Sequence, residues 1–313
     1  MDPSRANAPW LEPGRPGYEA WYVTVSQPSA RRGFWFRYTR FQPRRGLEGE
    51  PHSALWAFSF HRDDPALNTA AKDVHPLSAL RVARRPFEVS LGEGELRLDG
   101  CRGRAGDTSW DLSWVPVGGS ALFPFLRPPW DGLSMVGNLG AQLRLRVSGS
   151  VRAGGREYTL AGEPGGQQHT YGVSHAFRWN WGYASGDWGW VDGATSRVPS
   201  RLGRVLAGTA LGASVEGEEF RLDTPWRVLM EPGEISPDAW RADLGRVRLA
   251  ILPRRADLIG VTYEDPTVGR RICYHTEVAD LELTVGERTI RREAAAAFEY
   301  ASTEPLPGLP PRL

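Results

Sequence analysis

Residues 167–190, QQHTYGVSHAFRWNWGYASGDWGW, hold two of the six histidines and four of the thirteen tryptophans of this 313-residue chain. His169, Tyr171, Val173, His175, Phe177, Trp179, Trp181 and Tyr183 share odd numbers, whereas Thr170, Gly172, Ser174, Ala176, Asn180 and Gly182 are small or polar. Side chains alternate faces along a strand, so an extended reading sets the large rings and both imidazoles on one side. One strand cannot carry all of 169–183, because at ~3.3 Å per residue it would run about 45–50 Å. Gly172 and Gly182 are the expected bends, which leaves His169 and His175 on different strand halves that can still converge.

On either side of this stretch the pattern is that of short strands. Trp21–Ser26 and Gly33–Phe41 read as a hairpin, GEGE at 92–95 as a tight turn, and Ala141–Ala153 alternates well before Gly154-Gly155 turns it into Glu157–Ala161. Further strands are expected over Val205–Ala213, Trp226–Met230, Val247–Leu252, Leu258–Tyr263, Ile272–Val278 and Leu281–Val285, with Thr289–Tyr300 a strand or short helix. Asp64–Arg85 is Ala-rich and open to a short helix, and the prolines of Leu122–Asp131 suggest a linker or lid-like loop. The fold class is all-β: two tandem lipocalin-like antiparallel β-barrels or sandwiches with few short helices. The boundaries are a flexible N-terminus at 1–16, β-domains at 17–140 and 141–301, and a Pro-rich, frayed tail at 302–313.

Composition excludes several classes of function. Thirty-eight basic against 37 acidic residues give a net charge of +1, which implies no nucleic-acid partner. No run approaches a membrane span, so no integral membrane segment is expected, and the first seventeen residues lack the apolar core of a signal peptide. Cys101 and Cys273 match no metal or redox spacing and read as reduced thiols, in keeping with a cytoplasmic location. Lys72 is the sole lysine and lies in a polar segment, which argues against Schiff-base chemistry. There is no GxSxG nucleophile elbow and no GxGxxG between a strand and a helix.

GYEAWYVTV at 17–25, followed by FWFRYT at 34–39, resembles the opening of tandem lipocalin-like (calycin) proteins. These include carotenoid 1,2-hydratases (hydroxyneurosporene synthases), tocopherol cyclases and Diels–Alderase-like proteins. Gly149-Ser-Val151 to Gly155-Arg-Glu-Tyr158 matches the family's hairpin. Gly165-Gly166-Gln-Gln-His169-Thr-Tyr171-Gly172 matches its glycine-containing signature, with Tyr171 where Trp is usual. The acidic residue that can accompany this signature in the hydratases has no counterpart between Gly165 and Gly172; Glu163 and Asp187 are nearest. The resemblance implies two β-barrels, a pocket in or between them, a hydrophobic isoprenoid- or polyene-like substrate, and no metal or organic cofactor. The implied chemistry is protonation of an alkene or templating of a reactive chain for cyclisation.

His169, His175 and Glu19 are the candidate catalytic groups, since an imidazolium or carboxylic acid can deliver a proton. Trp21, Tyr171, Trp179, Trp181, Trp190 and His275 are the candidate substrate-binding groups, because aromatic faces stabilise a developing cation. Each has a structural alternative: satisfied histidines, barrel-core tryptophans, and for Glu19 an ion pair with an arginine of the Gly33–Phe41 strand such as Arg37. His275 shares its strand face with Cys273 and Glu277 and is the one tempting third ligand for a three-histidine metal site, although the spacing does not support one. The expected partner is a hydrophobic small molecule, with peripheral membrane contact open as a route for it. A non-catalytic lipid or pigment binding protein of the calycin type is the alternative.

Overall fold

A computed structural model describes residues 2–47, 49–122, 135–200, 202–267 and 269–313, with the side chains of 121 and 122 outside the description. The Pro-rich segment expected as a lid lies outside the described residues over 123–131. The chain is 65% strand and 7% helix, arranged in two large antiparallel sheets. The all-β expectation holds.

Among the described residues the first sheet has twelve strands, of which Ala121–Leu122 pairs with Val136–Ala153 off the main order. In spatial order it begins Thr69–Pro76, His52–His61, Arg32–Gln42, Gly17–Gln27, Arg156–Gly172, Val136–Ala153 and Thr108–Gly118. It continues through Gly100–Ala105, Gly94–Arg97, Phe87–Leu91 and Arg81–Arg84. The second has nine and runs Glu218–Leu222, Val205–Val215, Gly189–Pro199, Arg178–Gly186, Arg288–Ser302, Gly269–Val285, Val247–Leu252 and Trp240–Asp243, with Ile259–Asp265 also on Gly269–Val285.

The sheets part at 173–177, not at position 140. Arg156–Gly172 pairs with Gly17–Gln27 (Trp21 opposite His169), and Val136–Ala153 pairs with it in turn, so both strands stay in the first sheet. Backbone pairing of a strand leaves no choice of sheet, whereas a composition shift at 140 does not report pairing. The strand through Gly182 is unbroken. Gly182 is there for close packing: a Cβ would come 2.5 Å from Ile251 Cδ1 and 2.7 Å from Trp240 Cε3.

Three further expectations are corrected. Pro225–Met230 is a short helix rather than a strand, with Pro225 at its first turn, where a missing N–H does no harm. Asp64–Arg85 forms 3-10 turns and the strand Thr69–Pro76, because His52–His61 offers a paired edge for it. The termini are docked rather than free. Pro3–Ala6 is a helical turn, Asn7 is buried and bonds Gln167, and the Thr262 N–H donates to the Leu313 carbonyl while Arg312 N–H donates to Gly260. These contacts satisfy backbone groups that would otherwise be buried without partners.

Three apolar clusters result. Odd-numbered Trp21, Val23 and Val25 point into the first sheet's core with Phe34, Phe36 and Tyr38. Trp240, Ile251, Leu283 and Phe298 belong to the second sheet's core. The opposite face of the first sheet (Tyr22, Trp35, Trp56, Phe58 and Phe60) meets Trp181, Tyr183, Val261, Tyr263 and Ala297 of the second. Strand Gly17–Gln27 is therefore buried on both faces, as GYEAWYVTV, aromatic at both parities, requires.

Candidate functional site between the sheets

The aromatic interface between the sheets is not fully filled. A cavity of ≈ 140 Å³ opens among Tyr18, Tyr22 and Trp35 of the first sheet and Trp179, Trp181, Tyr263 and Glu299 of the second. The crossing segment 173–177 adds His175 and Ala176, and Arg37 completes the wall. The cavity exists because neighbouring strands contribute small residues at its edge, Ala194, Gly208 and Ala210.

One charged group anchors it. Glu299 sits on strand Arg288–Ser302 directly opposite His275 on Gly269–Val285 and opposite Trp181 on Arg178–Gly186. Its Oε2 accepts from Trp179 Nε1 at 3.1 Å and its Oε1 from the Tyr263 hydroxyl at 3.4 Å. His275 Nδ1 approaches Oε1 at 3.2 Å without hydrogen-bond alignment, while its Nε2 bonds Glu277 Oε1 at 2.8 Å. The imidazole thus lies between two carboxylates, one facing the cavity and one deep in the protein. Gly33 allows this depth: a Cβ there would be 2.3 Å from that of Glu277.

Burial opposes charge on all three groups, yet their mutual contacts decide the outcome. Burial works against the His275 cation, but Glu277 and Glu299 outweigh it and raise its pKa to about 9. Burial pushes Glu277 up to about 7 against the pull of His275. Burial also raises Glu299, but His275, Arg37 and the Trp179 N–H overcome it and hold the carboxyl below its ordinary value. At neutral pH the site is a carboxylate backed by an imidazolium. The carboxylates lie at opposite ring nitrogens and do not converge on a point, and no group of three or more metal-ligating side chains suited to an ion occurs among the described residues.

The His175 ring stacks on Tyr18 with ring centroids 3.7 Å apart, and the His175 backbone N–H donates to Asp265 Oδ2 at 2.9 Å. Burial, aided by Arg37 and Arg271 and opposed by Asp265, drives its pKa down to about 3. It is a neutral imidazole on the cavity wall.

His169 lies elsewhere. It is fully buried on the first-core side of its sheet, Nδ1 2.8 Å from the Ala6 carbonyl and Nε2 2.8 Å from Glu19 Oε1, and it stacks on Trp21 at 5.0 Å. Glu19 also accepts from the N–H groups of Trp10 and Leu11 and pairs with Arg40, the residue opposite it across the strand pair. The expected Arg37 partner faces the other way, since 37 and 40 differ in parity. Burial raises the Glu19 carboxyl, but His169, Arg40 and the Trp10 N–H bring it net below its usual range. Trp21 donates to the Asn7 carbonyl, and Tyr171 stacks on Trp10 at 4.6 Å.

Of the candidate residues, then, the structure brings His175, Trp179 and Trp181 to the cavity and places His275 behind it. His169, Glu19, Trp21 and Tyr171 form a separate cluster at the N-terminal segment. Trp190 belongs to the inter-sheet core, with Arg221 5.7 Å from its ring centroid. Glu299, Arg37, Tyr263, Tyr18 and Tyr22 were not among them. The signal available was Arg37 and Glu299 as charges within strongly apolar strand patterns, FWFRYT and AAAAFEY.

No family model matches the chain. Uncharacterized proteins from two strains of Mycobacterium tuberculosis are 26% identical to it over 291 residues, covering 86% of this chain and 82% of theirs. Among solved structures, a Nitrosomonas europaea protein described as an AttH matches with a TM-score of 0.58 at 15% identity, over 91% of this chain and 92% of its own. Kievitone hydratase from Nectria haematococca matches with a TM-score of 0.58 at 10% identity, over 91% and 89%. The two-sheet, lipocalin-like fold is shared along nearly the whole chain.

Proposed function

We propose that this protein is a cofactor-independent hydratase or cyclase acting on a hydrophobic isoprenoid- or polyene-like substrate in the cavity between the sheets. The observation that carries this reading is the Glu277–His275–Glu299 relay, three buried titratable groups ending at an aromatic cavity. A carboxyl backed by an imidazolium and a second buried carboxyl, at the wall of an aromatic cavity, is a feature of chemistry. The likeness in fold to a hydratase supports the reaction class, and the resemblance of 17–25, 34–39 and 165–172 to carotenoid hydratases and tocopherol cyclases supports the substrate class.

Glu299 is the acid: an apolar substrate seated over it desolvates the carboxylate and favours its protonated form. Its low pKa makes the protonated form a strong donor to an alkene carbon. The resulting cation faces Trp179, Trp181 and Tyr263, with ~2 kcal/mol or more available per desolvated aromatic contact. Water adding to the cation and returning a proton to Glu299 completes hydration. Where the bound substrate excludes water, an internal double bond attacks instead and Glu299 takes back a proton, which completes cyclisation. His175, neutral and stacked, orients the substrate.

The cavity mouth favours substrate delivery from a lipid surface. Leu206 and Leu229 line the cavity, with exposed Trp226 and Met230 on the helix of Leu229 and exposed Val205 beside Leu206. No described helix is long and apolar enough to cross a membrane. Two buried free thiols, Cys101 and Cys273, suit a reducing cytoplasm. The test is an untargeted metabolite comparison of cells carrying the intact chain, no chain, or Glu299→Gln. The same unsaturated hydrophobic compound should accumulate in the last two. A Glu299→Gln profile identical to wild type would remove the acid and with it the reading.

A further inference from the structure

Among the described residues, three arginines are at most 6% exposed: Arg37, Arg62 and Arg271. Arg62 bonds Asp257 at 2.9 Å and also pairs with Asp280. Arg271 lies 3.7 Å from Asp265 and donates to the Ala176 carbonyl. Arg37 has no such partner among the described residues. Its guanidinium stands 4.4 Å from the Tyr263 ring centroid and 5.5 Å from that of Trp35, and its Nε meets no acceptor. Desolvating a guanidinium without an acceptor is unfavourable, and fold stability alone gives no reason to retain one.

The carboxylates nearby are already committed. Glu299 feels the Arg37 charge without pairing with it and serves Trp179, Tyr263 and His275; Glu264 serves His52 at 3.1 Å and Lys72 at 3.9 Å; Glu19 serves Arg40 and His169. Arg37 borders both the aromatic cavity and a smaller one that Tyr18, Tyr263 and His175 also line. Its guanidinium, with no ion-pair partner among the described residues, lines the aromatic cavity where a ligand anion can meet it.

We infer that Arg37 binds a carboxylate of the ligand, so that the substrate is a hydrophobic acid rather than a neutral hydrocarbon. The inference rests on the aromatic cavity being the substrate site and adds a polar end to it. The carboxylate sits on the planar fork, flanked by Trp35 and Tyr263, and the apolar chain extends along Trp179 and Trp181 toward Glu299. A fixed anion at one end sets which carbon meets the acid at the other.

Isothermal titration of the full-length protein with geranic acid and with geraniol, near neutral pH, tests this directly. Wild type should bind the acid about tenfold or more tightly than the alcohol. Arg37→Gln should lose that preference while its affinity for geraniol stays within about twofold. Should Arg37→Gln fail to fold, Arg37→Lys, which keeps charge but not the fork, should show the preference reduced severalfold. Equal binding of the two ligands by wild type, binding of neither, a parallel loss of both in Arg37→Gln, or an undiminished preference in Arg37→Lys would overturn it. Glu299→Gln separates this from the catalytic reading. It should retain the preference for the acid, and a Glu299→Gln protein that still alters metabolites would end the catalytic assignment alone.

Discussion

His275 and Glu299 face one another across neighbouring strands, Nδ1 3.2 Å from Oε1, and this pair joins a buried carboxylate, Glu277, to the cavity wall. The spacing is that of directly opposed residues in an antiparallel pair, so strand register holds the relay together. It needs no mobile loop.

Glu299→Gln keeps the shape and the Trp179 contact but cannot carry a proton. We expect a folded protein with product formation lowered by about 10²–10⁴-fold. A drop of less than tenfold in a single-turnover assay would move the acid elsewhere.

Glu277→Gln removes the carboxylate whose contact helps raise His275 to about 9. The His275 pKa should fall in the variant, measured by NMR titration of the imidazole. Activity that depends on the imidazolium should then be lost at lower pH than in wild type. An unshifted titration would show that Glu277 is not coupled to the relay.

The same raised pKa makes stability depend on pH. Between the ordinary value of 6.5 and about 9, the folded state holds a proton at His275 that the unfolded chain has released. Stability from this group is therefore fully present below pH 6.5 and declines as pH rises through about 9. His175 acts in the opposite sense: its pKa of about 3 means that stability falls as pH drops from 6.5 towards 3. Urea denaturation across pH should show a flatter alkaline limb for His275→Gln and a flatter acid limb for His175→Gln.

His169→Ala should leave cavity binding intact and lower stability by about 1–3 kcal/mol, because Glu19 Oε1 and the Ala6 carbonyl lose a buried partner. Loss of ligand affinity without loss of stability would place His169 in the binding machinery.

Gly33→Ala forces a Cβ against Glu277 and should cost about 1–3 kcal/mol, as overpacked sites do. A thermal melt unchanged from wild type would mean that the strands separate there without penalty.

Much of the fold was legible in the sequence by itself. GYEAWYVTV and FWFRYT specified paired strands through their alternation, GEGE specified the turn between Leu91 and Gly94, and the spacing of turn residues specified an all-β chain. The stretch 167–190 holds the passage from one sheet to the other, which the boundary at 140 did not anticipate. Shared parity did not mean a shared site. The chain changes sheets at 173–177, which sends His169 to the first core and His175 to the interface. Only the tertiary structure assembled the candidate site, because its members are joined across strands and across sheets. Trp179 and Glu299 are 120 positions apart and meet through the pairing of Arg178–Gly186 with Arg288–Ser302. Local patterning decides whether a segment is a strand and which face is apolar. Pairing partner and register decide which charges come together, and those are set by long-range hydrogen bonds that no local pattern encodes.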